Sequence, residues 1–271
     1  MSLIQFNDLL ACLEVSQSAE GRYTLPNMKM DYHRIFGGQL IAQAIVIAAH
    51  SAEGKAVTSV HTLLMREGDR EQPVEFELES LQDGRSFASR ALVGRQDDKT
   101  IFSAQISLHA SEEGPAHQIA FPEVATPDES KPVELSMIPW ETRAVGGVDL
   151  QSSEVGEPRY ALWMRAPKLE AELPVHQALL AHSSTLNLIG TALRPQENLS
   201  EADAQMKILT AVTSHTVWFH RPLRADDWLL LHHESPTMSN ARGFGTGHVF
   251  NSDRGLVASF AQENLLRPVS K

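Results

Sequence analysis

The feature that most constrains this chain is a succession of segments that occurs twice. In the first half, Gly37 to His50 reads GGQLIAQAIVIAAH, a stretch of helical length with small or apolar side chains on nearly every face. A helix of that kind must be surrounded. Strand-like runs follow at 57–65, 74–81, 86–96 and 100–108, rich in β-branched or apolar residues and separated by the turn signals Arg66-Glu-Gly-Asp69, Gln82-Asp-Gly84 and Asp97-Asp-Lys99. The second half repeats the order, with a strand expected at 160–165, a helix at about 174–185, and strands near 211–219, 228–235, 242–251 and 256–266. Short segments also rhyme between the halves: Val60-His-Thr-Leu-Leu64 with Ser214-His-Thr-Val-Trp218, Arg85-Ser-Phe87 with Arg242-Gly-Phe244, and Ile101-Phe-Ser-Ala104 with Leu256-Val-Ala-Ser259. All three pairs are about 155 residues apart and in the same order, the mark of an internal duplication. A long apolar helix followed by an antiparallel meander, twice over, predicts an α+β chain in which each half wraps a curved antiparallel sheet around its own central helix. The strand content excludes a helix bundle, and the lack of strand and helix alternation excludes a doubly wound parallel sheet.

Between the halves, residues 111–139 hold five prolines and six acids against one lysine, a composition unsuited to a long helix or a central strand. We expect an N-terminal repeat at 1–110, a Pro- and acid-rich linker at 111–157 and a C-terminal repeat at 158–271. At 42% hydrophobic and 21% charged residues, the chain has apolar matter enough for one large domain or two small ones. Its 34 acids against 23 bases leave a charge of -11 with no basic run, which argues against nucleic acid as a partner. The longest apolar run is about half the ~20 residues of a membrane span, and the N-terminus lacks a basic signal-peptide flank, so no membrane partner and a cytoplasmic location are expected. Cys12 is the single cysteine and reads as a small buried hydrophobe.

Neither a Gly-x-Ser-x-Gly elbow nor a His-Glu-x-x-His zinc pattern occurs, and no Walker loop or G-x-G-x-x-G is present, so neither a metal nor another cofactor is expected. Four local features remain. Phe36-Gly-Gly-Gln39 stands where the chain enters the first buried helix, where two glycines admit close approach of a carbonyl or phosphate oxygen to backbone N–H groups, or make a tight turn. His182-Ser-Ser-Thr185-Leu-Asn187 ends the second buried helix with more polar groups than packing needs, for core hydrogen bonds, capping or a site. Gln262 shares the apolar face of the last strand with Ala258 and Phe260, where its amide could hold a water or a structural partner. His61 and His215 hold equivalent repeat positions, which favours a role in the fold.

Together the segments Ile35-Phe-Gly-Gly-Gln-Leu-Ile-Ala-Gln-Ala44, Val60-His-Thr with Arg66-Glu-Gly-Asp69, Leu81-Gln-Asp-Gly-Arg-Ser-Phe87, Trp218-Phe-His-Arg-Pro222, Ala225-Asp-Asp-Trp-Leu-Leu230, Ala241-Arg-Gly-Phe244 and Val257-Ala-Ser-Phe-Ala-Gln-Glu263 resemble the TesB-type acyl-CoA thioesterase II family. The resemblance runs from about residue 9 to residue 267. It implies a tandem, or double, hotdog fold and hydrolysis of fatty acyl-CoA by activated water, without a covalent intermediate or metal, in an enzyme that acts as a homodimer or larger. The family's water-activating trio is an aspartate, a threonine or serine, and a glutamine. The glutamine falls on Gln262, but the aspartate falls on Thr185 and the hydroxyl residue on Val212, while the aspartate of the family's Asp-His-Ser-Met-Trp motif falls on Ser214. A threonine hydroxyl cannot accept a proton from water near neutral pH as a carboxylate does. The resemblance therefore implies two alternatives: an acyl-CoA thioesterase whose water site is lined by Gln262, Thr185 and Asn187, with Phe36, Gly37, Gly38 and Gln39 shaping the substrate channel, or an acyl-CoA binding protein that has lost turnover. His182 is the first candidate for a substitute base.

Overall fold

The computed structural model describes residues 4–30 and 32–269. A short helix α1 (Phe6–Ala11) and two small strands, β1 (Gln17–Ala19) and β2 (Arg22–Leu25), precede the long helix α2 (Gly37–His50). The strands β3 (Ala56–Leu64), β4 (Val74–Asp83), β5 (Phe87–Gln96) and β6 (Lys99–His109) follow, and the proline-rich segment contributes only β7 (Lys131–Pro132) and β8 (Glu141–Ala144). After β9 (Arg159–Arg165) come α3 (Leu173–Ser184), a one-turn helix α4 (Leu188–Leu193), and the strands β10 (Ile208–Phe219), β11 (Leu229–Ser239), β12 (Arg242–Asn251) and β13 (Leu256–Pro268). The long helices and most strands fall within a few residues of their sequence expectation. β2 was not expected, since four residues of alternating burial are too short to show a period.

All strands belong to one antiparallel sheet in the order β1-β2-β4-β5-β6-β3-β10-β13-β12-β11-β9-β8-β7. Read inward from either end, β2-β4-β5-β6-β3 and β9-β11-β12-β13-β10 are the same succession. The two join where β3 pairs with β10, with Val60 opposite Val217, both fully buried, and with the Thr62 hydroxyl donating to the His215 carbonyl at 2.7 Å. Each such valine contributes on the order of 1.5–3 kcal/mol by burial. Across this seam His61 faces Thr216 and His215 faces Thr62. Because strand side chains alternate, the one-residue difference puts His215 inside and His61 outside, so the two rhyming histidines occupy opposite faces.

Inside the sheet, α2 packs on α3. Residues Gly38 to Ala48 of α2 are buried, as a helix apolar on nearly every face requires. Its two glutamines tie the N-terminal segment to it: Gln43 Nε2 donates to the carbonyls of Cys12 (3.1 Å) and Pro26 (2.9 Å), and Gln39 Oε1 accepts from the Met28 N–H at 3.0 Å. Cys12 is buried, and burial pushes its thiol up to about 12.

In the second half Phe260 is wedged between His233 (ring centroids 5.3 Å apart) and His215 (5.9 Å), over Gly247 of the neighbouring strand. A Cβ on Gly247 would lie 2.1 Å from the Phe260 ring. The Gly247→Ala protein should therefore unfold about 1–3 kcal/mol more easily in a urea titration, the usual cost of overpacking a core. Burial also pushes down the pKa of His182 and His215 to about 4 and of His233 to about 3, from an ordinary 6.5. The unfolded chain then binds more protons at these histidines than the native one does, so the stability they contribute is full above pH 6.5 and declines as pH falls toward 4. The urea midpoint should be lower at pH 5 than at pH 7.5, and the difference should shrink in a His182→Leu variant.

A candidate active-site cavity where the two central helices meet

The N-terminus of α2 abuts the C-terminus of α3. A Cβ on Gly38 would stand 2.7 Å from the His182 carbonyl oxygen and 2.9 Å from Thr185 Oγ1, so the helices reach this distance only because residue 38 has no side chain. A cavity of about 420 Å³ opens over the junction. Phe36, Gly37 and Gly38 line it from α2, and Thr185, Leu186 and Asn187 from the end of α3. Its first-turn N–H groups are among those a helix leaves without intrahelical acceptors, and they carry the positive end of the helix dipole.

The end of α3 is held by its own polar residues. Thr185 Oγ1 donates to the His182 carbonyl at 2.9 Å, which leaves its lone pairs free to accept, and the Leu186 N–H donates to the Ser183 carbonyl at 3.1 Å. Asn187 then takes a left-handed conformation (φ 70°), one that asparagine tolerates better than most residues, and reverses the chain into α4. The Asn187 side chain is buried on the cavity with its amide nitrogen unpartnered.

On the opposite wall β10 presents Thr210, Ala211, Val212 and Thr213. The β10 register slips between Val212 and Ser214, so Thr213 is the extra residue of a bulge, and its hydroxyl donates to the Glu263 carbonyl at 3.0 Å. Before the bulge Thr210 faces inward, and after it His215 and Val217 do. Ser214 lies outside the cavity lining. Arg34, Arg66 and Glu67 stand at the same cavity, Arg34 paired with Glu67, and Met137 closes it from the proline-rich segment.

Behind this wall runs a buried polar relay. Gln262 Nε2 donates to the Thr185 carbonyl (3.2 Å) and to Asn264 Oδ1 (2.7 Å), while its Oε1 accepts from His215 Nδ1 at 2.7 Å. His215 Nε2, left as an acceptor in this neutral tautomer, lies 2.9 Å from Ser184 Oγ. The structure thus gathers Phe36, Gly37, Gly38, Thr185 and Asn187 on one cavity, sets Gln262 directly behind Thr185 with its amide fully engaged, and leaves Gln39 off the lining among Met28, Asn27 and Gln43. His182 also sits behind the wall: its Nε2 donates to the Met137 carbonyl at 2.8 Å, its ring stands edge-on to Phe36, and its lowered pKa keeps it neutral.

Sequence reasoning missed Glu201, which lines the cavity. Burial, aided by Asp149, pushes its carboxyl up to about 7 against the hydrogen bond from Gln151. Its one sequence signal was the capping box Ser200-Glu-Ala-Asp203, which marks the start of a helical turn and nothing chemical. Arg34 and Met137 carried no signal, since only the folded chain brings them here, whereas Thr210 and Thr213 are near enough in sequence to the motif of β10 to be candidates for substitute hydrogen bonds. Among the described residues no three His, Cys, Asp or Glu gather as metal ligands.

Comparison with known proteins places this architecture. Residues 26–109 match the family described as the acyl-CoA thioesterase N-terminal domain, and residues 112–266 the acyl-CoA thioesterase C-terminal domain. Human acyl-coenzyme A thioesterase 8 is 31% identical over 262 residues, covering 86% of this chain and 81% of the relative. Acyl-CoA thioesterase 2 of Haemophilus influenzae is 26% identical, over 96% and 97% of the two chains. The solved TesB protein of Mycobacterium avium subspecies paratuberculosis superposes with a TM-score of 0.84 at 28% identity, covering 97% of this chain and 100% of its own. A hot dog fold protein of Alicyclobacillus acidocaldarius, 17% identical, gives 0.77 over 97% and 98% of the chains and shares the fold. With family matches over both halves and relatives aligned along most of its length, the chain belongs to the TesB-like acyl-CoA thioesterase family.

Proposed function

We propose that this protein hydrolyses fatty acyl-CoA thioesters to free acid and coenzyme A by direct attack of water, from two hotdog units in tandem, residues 1–110 and 158–271, joined by 111–157. The observation that carries this reading is the junction of α2 and α3. There the positive end of a buried helix stands on a cavity that Asn187 also lines, where the first-turn N–H groups can hold the negative charge that develops on a thioester carbonyl oxygen. Thr185 Oγ1, which donates its hydrogen bond to the His182 carbonyl, is left to accept from a water. Gln262 acts through Thr185 by fixing its carbonyl. The side chains of Ile35, Phe36, Leu64, Leu186 and Ile189 give the acyl group an apolar surface, and Arg34 and Arg66 supply positive charge for the phosphates of coenzyme A on a chain otherwise acidic.

Direct water attack is favoured over a covalent intermediate because Ser184 is fully buried off the cavity and the Cys12 thiol stays protonated in the core. The open edge strands β1 and β7 support assembly with a second copy of the chain, and a lone buried thiol suits a reducing cytoplasm.

A second reading, acyl-CoA binding without turnover, is favoured by Thr185 and Val212, which put a hydroxyl and two methyl groups where the family pattern has a carboxylate and a hydroxyl. Thiol release from acyl-CoA esters of increasing chain length, read beside calorimetric binding of the same esters, separates the two. We expect turnover well above buffer hydrolysis; binding without turnover would establish the second reading. The Val212→Trp variant, with a large side chain in the cavity, should lower kcat/KM by roughly 10-fold or more through displaced substrate. Its thermal unfolding should change little, because Val212 is only half-buried and borders open space.

A further inference from the structure

We propose that Glu201 is the carboxylate that takes the proton from the attacking water, in place of the aspartate that the family pattern has at Thr185. This rests on the hydrolase reading above. Two carboxylates line the cavity among the described residues, and they differ in kind. Glu67 is exposed and ion-paired with Arg34. Glu201 is partly buried, no Lys or Arg pairs with it among the described residues, and its hydrogen bond from a side chain comes from Gln151 Nε2, at 3.0 Å on one oxygen. A carboxylate with an oxygen to spare, facing a cavity that accommodates substrate, can take a water as its next partner.

The surrounding chain fixes this side chain from both sides. Its backbone N–H donates to the Leu150 carbonyl at 3.0 Å, and the capping box, with the Ser200 N–H donating to Asp203 Oδ2 at 2.9 Å, sets the turn it begins. Across from it α4 carries Gly190, where a Cβ would stand 3.3 Å from Glu201 Oε2. The missing side chain lets the carboxylate lie against the helix that Asn187 precedes. The charged and titratable groups around Glu201 are the exposed Asp149, the buried Tyr160, and Arg34, Arg66 and Glu67 on the lining of the cavity. A carboxyl raised to about 7 by burial is a better proton acceptor near neutrality than an ordinary glutamate, and still ionised in a large fraction of molecules. The buried histidines are weaker bases and lie behind the wall.

In the step proposed, the water oxygen bonds to the thioester carbonyl carbon as its proton passes to Glu201, and the carbonyl electrons move onto oxygen. The tetrahedral intermediate reforms its C=O bond as the C–S bond breaks, and the proton held by Glu201 goes to the leaving sulfur. The free acid and the thiol of coenzyme A result, with Glu201 again ionised and ready for the next water.

The test compares wild type, Glu201→Gln and Asp149→Asn as full-length proteins, with thiol release from an acyl-CoA ester followed across pH 5–9 and ester affinity measured by calorimetry. For Glu201→Gln we expect kcat to fall at least about 100-fold, the scale of a lost general base, with affinity within about 3-fold and the acid limb of the pH profile near pH 7 abolished. For Asp149→Asn, which removes a negative charge that raises the Glu201 pKa, the limb should move to lower pH with activity retained. If wild type turns over and Glu201→Gln keeps its rate and its acid limb, Glu201 is not the base and the hydrolase reading stands. Binding of ester without turnover by wild type overturns both. Should Glu201→Gln fail to fold, Glu201→Asp is read in its place: a kcat at least 10-fold lower with the limb retained supports the proposal, and an unchanged kcat overturns it.

Discussion

The contact between the start of α2 and the end of α3 sets the floor of the cavity, with Gly38, Thr185 and Asn187 on it. The contact is limited by a single missing side chain, since any Cβ on Gly38 would press into the His182 carbonyl and the Thr185 hydroxyl. Close-packed interiors transmit such displacements because they hold few voids to absorb them. The cavity exists at this junction because the end of α3 turns away through Asn187 where β10 bulges at Thr213, so neither element fills the space above the helix ends. A helix start, a helix end and a bulged strand each leave backbone or side-chain polar groups unspent, and here all three meet.

The relay from Ser184 through His215 and Gln262 to Asn264 and Thr185 serves this junction from behind. In a low-dielectric interior, satisfied polar networks fix one geometry because every alternative leaves a group unpaired. His215 is neutral there, which lets one ring nitrogen donate and the other accept. Gln262 therefore supports the site as a rigid strut that holds the Thr185 carbonyl in place, with its own amide turned away from the cavity and spent on protein partners.

Much of the fold was legible from periodicity alone. The run from Gly37 to His50, apolar on nearly every face, could only be a surrounded helix, and the alternating runs on β5 and β12 gave strands within a residue of their observed ends. The duplication was legible in three short rhymes, and the structure carries the same strand succession in both halves. The rhyme misled at His61 and His215, because sequence identity carries no record of which face a residue takes after a bulge or a one-residue offset. The lining of the cavity was legible in part: Phe36, Gly37, Gly38, Thr185 and Asn187 stand out in the sequence as glycine or polar breaks at the ends of apolar segments, and they share one cavity.

The sequence by itself determined which segments are helix and strand, that the pattern occurs twice, and that a threonine stands at 185 and a valine at 212, since periodicity and residue identity are local properties. Only the tertiary structure decided that Glu201, sixteen residues beyond Thr185, stands on the same cavity, because its place follows from a turn fixed at Leu150 and from the absence of a side chain at Gly190. The rise of its carboxyl toward 7 is likewise a tertiary effect, because desolvation depends on what surrounds a group in space and not on its neighbours along the chain.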